Sequence, residues 1–156
     1  MKSFQGSTLS KLDESGRLKL PPNVVADFKS VDPTGNVSLK YLPEGAIFIK
    51  PANQATPAPS ADSDDDKAYE ENDEMRIRER LGSLLSSSDT ISPQGRLTLP
   101  LRLLKRIGVY TGEEIALVGV GKGYEVWKPE ALEEELDKEL AQRRRQYEQK
   151  RDKTTG

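Results

Sequence analysis

The chain has 156 residues, 34% of them apolar, with 26 acidic against 24 basic side chains and a mean hydropathy of −0.71. That suits one ordinary domain or two very small ones, and no run approaches the roughly 20 apolar residues that span a bilayer. Cysteine and histidine are absent, which excludes disulfides and thiolate zinc sites and removes the commonest general base and metal ligand, so no enzyme activity, cofactor or metal is expected.

The opening MKSFQGSTLSK has no apolar core, so no secretory signal is expected. STLSKLDESGRLKLP then alternates like a hairpin. Leu9 and Leu12 precede an Asp-Glu-Ser-Gly turn, and Leu18 and Leu20 alternate with Arg17 and Lys19. Pro21 and Pro22 open a short helix over about 21–29, with Val24, Val25 and Phe28 at helical spacing. Asp32-Pro33-Thr34-Gly35 is a turn. NVSLKYL reads as a strand with Val37, Leu39 and Tyr41 on one face, Pro43-Glu44-Gly45 turns the chain, and AIFIKP is the next strand.

Residues 51–73, PANQATPAPSADSDDDKAYEEND, are rich in proline, small polar residues and aspartate. Such a stretch buries too little apolar surface to offset its ordering entropy, so it reads as a disordered linker. Over residues 74–88, EMRIRERLGSLLSS predicts an amphipathic connecting helix with Met75, Ile77, Leu81, Leu84 and Leu85 on its apolar side. A second block over 89–129 repeats the first. DTISPQGRLTLP matches the first hairpin. LRLLKRIG is its helix, with Leu103, Leu104 and Ile107 and a stop at Gly108, and EEIALVGVGKGYEVWKP is its closing hairpin. GVGKG echoes a phosphate loop but lies between strands with no helix after it, so it reads as a hairpin turn. A helix over 130–150 carries Leu132, Leu136, Leu140 and Tyr147, with acids early and bases late, as the helix dipole prefers, and 151–156 form a tail.

The two blocks share Gly-Arg-Leu-x-Leu-Pro at Gly16–Pro21 and Gly95–Pro100, a constant offset of 79 residues. The match runs on through Leu39 with Leu117, Gly45 with Gly123 and Ile49 with Trp127, which marks an internal duplication. Each block, at about 40 residues, is too small to bury a core alone. The halves are therefore expected to trade strands around a pseudo-two-fold axis as one β-rich barrel of the α+β class, with flanking helices.

This organisation, with its paired motifs, resembles the MraZ family of tandem AbrB-like swapped-hairpin regulators, over roughly residues 1–50 and 74–140. Asp13-Glu14-Ser15-Gly16-Arg17-Leu18 matches the family's Asp-x-x-x-Arg signature, and IALVGVGKGYEVWKPEALEEEL is very like the family's second-half ending. The second copy, Ser92-Pro93-Gln94-Gly95-Arg96-Leu97, keeps the arginine but has serine in place of the acid. The carboxylate that would orient Arg96 or tie its turn is then missing. The linker also stands where the family usually has a helix. The resemblance implies a bacterial, cytoplasmic, nucleoid-associated repressor. It implies binding to short direct repeats in double-stranded DNA upstream of its own division and cell-wall gene cluster, as a ring-like homo-oligomer with no membrane partner.

Strand alternation puts Leu18 and Leu20, and Leu97 and Leu99, toward a core, leaving Arg17, Lys19, Arg96 and Thr98 outward. Arginine suits phosphate oxygens and the guanine edge, and a two-stranded ribbon fits the major groove. Lys11 and Lys19 suit phosphates, and Gln94 suits a base edge. Asp13, Gly16 and Gly95 shape the turns. The first half has more basic residues, so Arg17→Ala is expected to weaken DNA binding more than Arg96→Ala. In the competing reading Arg17 pairs with Asp13 or Glu14 across its turn, and the chain is an oligomeric structural or interaction protein that binds no DNA. The Arg143–Arg145 run reads as a solvated helix end paired with Glu133–Glu135 and Glu139 on earlier turns.

Overall fold

The computed structural model describes residues 3–54 and 73–155. Among these residues eight strands and four α-helices follow in chain order: β1 (Ser7–Lys11), β2 (Arg17–Lys19), α1 (Pro22–Val31), β3 (Asn36–Leu42), β4 (Ala46–Pro51), α2 (Asp73–Leu85), β5 (Ser86–Thr90), β6 (Arg96–Thr98), α3 (Leu101–Ile107), β7 (Glu114–Gly119), β8 (Tyr124–Trp127) and α4 (Pro129–Thr155). The class is α+β, dominated by antiparallel sheet. Six strands run in the order β1-β7-β8-β4-β3-β5, and β2 pairs with β6 as a separate two-stranded ribbon.

The closing hairpins form as the sequence predicts, β3 with β4 and β7 with β8. The opening stretches do not. β1 pairs with β7 and β5 with β3, so each half lends its first strand to the other half's hairpin. Within the first stretch an isolated bridge between Leu12 and Leu18 forms in place of a β1–β2 ladder. The expectation of a hairpin over Ser7–Pro21 is thus corrected. The reason is energetic: a lone short hairpin leaves its apolar face wet, whereas exchange places Leu12, Leu18 and Leu97 in the shared core.

Register obeys the duplication. Thr8 stands opposite Leu117 as Ser87 stands opposite Leu39, and Ala46 opposite Trp127 as Ile49 opposite Tyr124. The core includes Val37, Leu39, Ile47 and Ile49 of one half and Leu103, Leu104, Ile115, Leu117 and Val126 of the other. Phe4, Phe28 and Tyr124 gather their rings at its side, with centroids 5.0 to 5.8 Å apart. These tilted and edge-on contacts suit the ring quadrupoles.

Other boundaries shift. α1 continues to Val31, with Val24 and Phe28 buried. Gly108 ends α3 at φ 76°, its N–H donating to the carbonyls of Leu104 and Lys105. Pro51 closes β4 and Ala52–Gln54 form a 3₁₀ turn, so the expected linker starts later; its disorder concerns residues 55–72, which lie outside the described residues. The connecting helix ends at Leu85, and Ser86–Ser88 belong to β5. A polar serine run makes a strand here because its main chain completes the β3 ladder at a sheet edge, where side chains face water. α4 runs on to Thr155, so the expected tail at 151–156 is helical through residue 155.

Candidate nucleic-acid interface

The six residues of each motif build one ribbon. Turns at Asp13–Gly16 and Ser92–Gly95 deliver β2 and β6, closed by N–H donation from Gly16 to Asp13 O at 3.1 Å and from Gly95 to Ser92 O at 2.9 Å. Both glycines adopt positive φ, 79° and 81°, which other residues adopt only under strain. The ribbon is locked reciprocally: Leu20 N–H donates to Gly95 O and Leu99 N–H to Gly16 O, each at 2.9 Å. Leu18 faces Leu97, and both are fully buried.

The opposite face carries the expected residues. Arg17 stands across from Thr98 and Lys19 across from Arg96, and all four are exposed. Cross-strand neighbours have Cβ atoms about 5 Å apart, so this is one continuous patch built from both halves. Gln94 is exposed in the turn that leads into β6. Lys11 is elsewhere: it lies on β1 in the larger sheet, opposite Glu114.

The two signature turns differ in one respect. Asp13 Oδ1 accepts the N–H groups of Ser15 at 2.9 Å and Arg17 at 2.8 Å, while Oδ2 receives the Arg17 Nε at 3.1 Å. The Arg17 N–H above all, joined by the Ser15 N–H and the guanidinium charge, holds the Asp13 carboxyl below its usual range, against a smaller upward push from desolvation. In the second turn Ser92 Oγ accepts the Arg96 N–H at 3.0 Å. Serine therefore ties this turn, which corrects the expectation that the missing acid leaves it untied. What is lost is the second oxygen that would hold the guanidinium.

A further residue, not singled out from sequence, completes the pattern. Asp89 of β5 accepts the Thr98 N–H at 2.9 Å, whereas its counterpart Ser10 donates its hydroxyl to Lys19 O at 3.1 Å. Counting 79 residues on from Ser10 would have pointed to Asp89. Both carboxylates thus lie at the Arg17–Thr98 end of the ribbon. The Lys19–Arg96 end is tied by serines alone, and among the described residues neither cation has an ion-pair partner. Like charges placed directly opposite each other destabilise a strand pair. The patch therefore has one end where a carboxylate holds the arginine and one bare cationic end.

The Arg143–Arg145 run lies on α4. Arg144 pairs with Glu148 on the following turn at 3.9 Å, and no ion pair joins the run to Glu133–Glu135 or Glu139 among the described residues, contrary to the expected pairing. GVGKG forms the β7–β8 turn, Val120 N–H donating to Gly123 O at 2.9 Å. No helix among the described residues is long and apolar enough to cross a membrane.

No protein-family model matches the chain. It is similar over most of its length to proteins named transcriptional regulator MraZ. That of Rhodospirillum rubrum is 29% identical over 141 residues, covering 85% of this chain and 84% of that protein. That of Solidesulfovibrio magneticus is 30% identical over 136 residues, covering 85% and 84%. One from Dehalococcoides mccartyi is 30% identical over 138 residues, covering 85% and 87%.

Proposed function

The chain belongs to the MraZ family, and from that membership we propose that it is a sequence-specific, DNA-binding transcriptional regulator whose reading surface is the β2–β6 ribbon. The observation that carries this reading is the Lys19–Arg96 pair, two exposed cations directly opposite each other with no ion-pair partner among the described residues. Such a pair opposes folding and is relieved by a phosphate. Arg17, held by Asp13, is the residue pre-oriented for a guanine edge. Thr98 and Gln94 flank the same face, while Lys11, on β1 opposite Glu114, stands apart from the ribbon.

The exchange of β1 and β5 between halves supports the tandem swapped-hairpin barrel. The chain acts as a cytoplasmic, nucleoid-associated repressor. It binds short direct repeats upstream of its own division and cell-wall cluster as a ring-like homo-oligomer. Repeated boxes met by several subunits gain affinity through effective concentration, which suits a patch with so few charges.

The Asp13–Arg17 ion pair favours a second reading, in which the arginine only ties its turn and the chain is an oligomeric interaction protein. Fluorescence anisotropy on the protein's own upstream DNA and on a scrambled duplex, across a salt series, separates the two. Selective binding with a steep salt slope is the expected result. Equal and negligible binding to both duplexes leaves the second reading.

A further inference from the structure

α4 is 27 residues long, about 40 Å at the usual rise, and it meets the body through Ala131 and Leu132, which pack with Trp127, Ala46 and Ala116. Beyond that contact Leu136, Leu140 and Tyr147 are 44%, 57% and 66% exposed. At 100° per residue these three fall within a narrow stripe, and Glu133 and Arg151 flank it on one side. Charge along the helix is sharply segregated. Residues 129–140 hold six acids and one base, and residues 141–152 hold five bases and two acids. A single helix with an apolar stripe, an acidic first half and a basic second half is complementary to itself when reversed.

The geometry points to α4 as a self-docking helix: it pairs antiparallel with α4 of a second copy of this chain. Over full overlap, Glu133 of one copy comes beside Arg151 of the other, the two Leu140 side chains flank the midpoint, and Leu136 approaches Tyr147. A parallel pair would set acid on acid and base on base, which charge repulsion disfavours. The helix dipoles likewise oppose one another favourably in the antiparallel pair. The contact is isologous, unlike the head-to-tail contacts that close a ring, and it stands whether or not the chain binds DNA.

The chain has no cysteine, so introduced thiols report without background. Three full-length variants are oxidised at low salt: Glu133→Cys, Arg151→Cys and the double variant. The double variant is expected to form a disulfide-linked dimer while each single variant stays monomeric on a non-reducing gel. Adding Leu140→Asp to the double variant is expected to abolish the dimer; Leu140 is exposed, so the body still folds, as circular dichroism would check. Dimers from each single variant mean a parallel pair and overturn the proposal. Absence of dimer from the double variant overturns it as well, leaving the stripe to another surface or a different partner.

Discussion

Leu18 and Leu97 occupy the same position in the two copies of the repeat, and they stand directly opposite each other in the β2–β6 ribbon, both with no exposed surface. The axis relating the halves passes between them. Each leucine thus lies against its counterpart from the other half. Leu18→Ala and Leu97→Ala should each destabilise the protein by about 3 kcal/mol, the usual cost of a buried leucine truncation. Because the side chains share one cavity, the double variant should lose clearly less than the sum. Urea unfolding of the three variants measures this; strict additivity would mean the two sites relax independently.

The ribbon's two ends should affect DNA binding in different ways. Arg17 is held by Asp13 at 3.1 Å, while Lys19 and Arg96 have no ion-pair partner among the described residues. Arg17→Ala should cost about 1–3 kcal/mol on the specific site and little on scrambled DNA. Lys19→Ala and Arg96→Ala should weaken both duplexes and lower the salt slope by about 1 each. On the specific site Arg17→Ala is then the more damaging change. Anisotropy with both duplexes is the measurement, and equal losses from Arg17→Ala and Arg96→Ala on the specific site would refute this division of roles.

Asp13 gives the turn a pH dependence. Its carboxyl is held below the ordinary value of 3.8, so the charged form is favoured in the folded chain. The stabilisation is present above that value and is lost as pH falls through the lowered one. The stability gap between the wild type and Asp13→Asn should therefore be constant near neutrality and close in that acid range. A carboxyl titration by NMR should place the Asp13 midpoint below 3.8.

The second turn should accept the missing acid. Ser92 already receives the Arg96 N–H at 3.0 Å, so Ser92→Asp keeps that bond and adds an oxygen for the guanidinium. The change in stability should be under about 1 kcal/mol, since the pair is exposed. Exchange of the Arg96 Nε–H should slow to match that of Arg17. Unaltered exchange would show that the serine-to-acid difference does not control arginine order.

Two glycines should respond in opposite directions. A Cβ on Gly123 would fall inside the contact radius of the Ile49 carbonyl oxygen, so Gly123→Ala must part β8 from β4 and should cost about 3 kcal/mol. Gly82 lies in α2 with nothing near the added atom, so Gly82→Ala should stabilise that helix by about 1 kcal/mol. Thermal melts of the two variants give the comparison.

Much of this protein is written locally. The duplication, the turns at Gly16 and Gly95, the two closing hairpins and the outward set of Arg17, Lys19, Arg96 and Thr98 all follow from periods of two, positive-φ glycine and a constant offset. Those are properties of a residue and its near neighbours, so one sequence is enough to read them. The partners of β1 and β5, the strand at Ser86–Ser88 and the gathering of Asp13 and Asp89 at one end of the ribbon were decided only in three dimensions. Backbone ladders pair amide with carbonyl whatever the side chains are, so a strand's alternation tells which face is buried but not which strand lies beside it. That choice belongs to the shared core, where Leu18 needs Leu97 and each half lacks the apolar surface to close on its own.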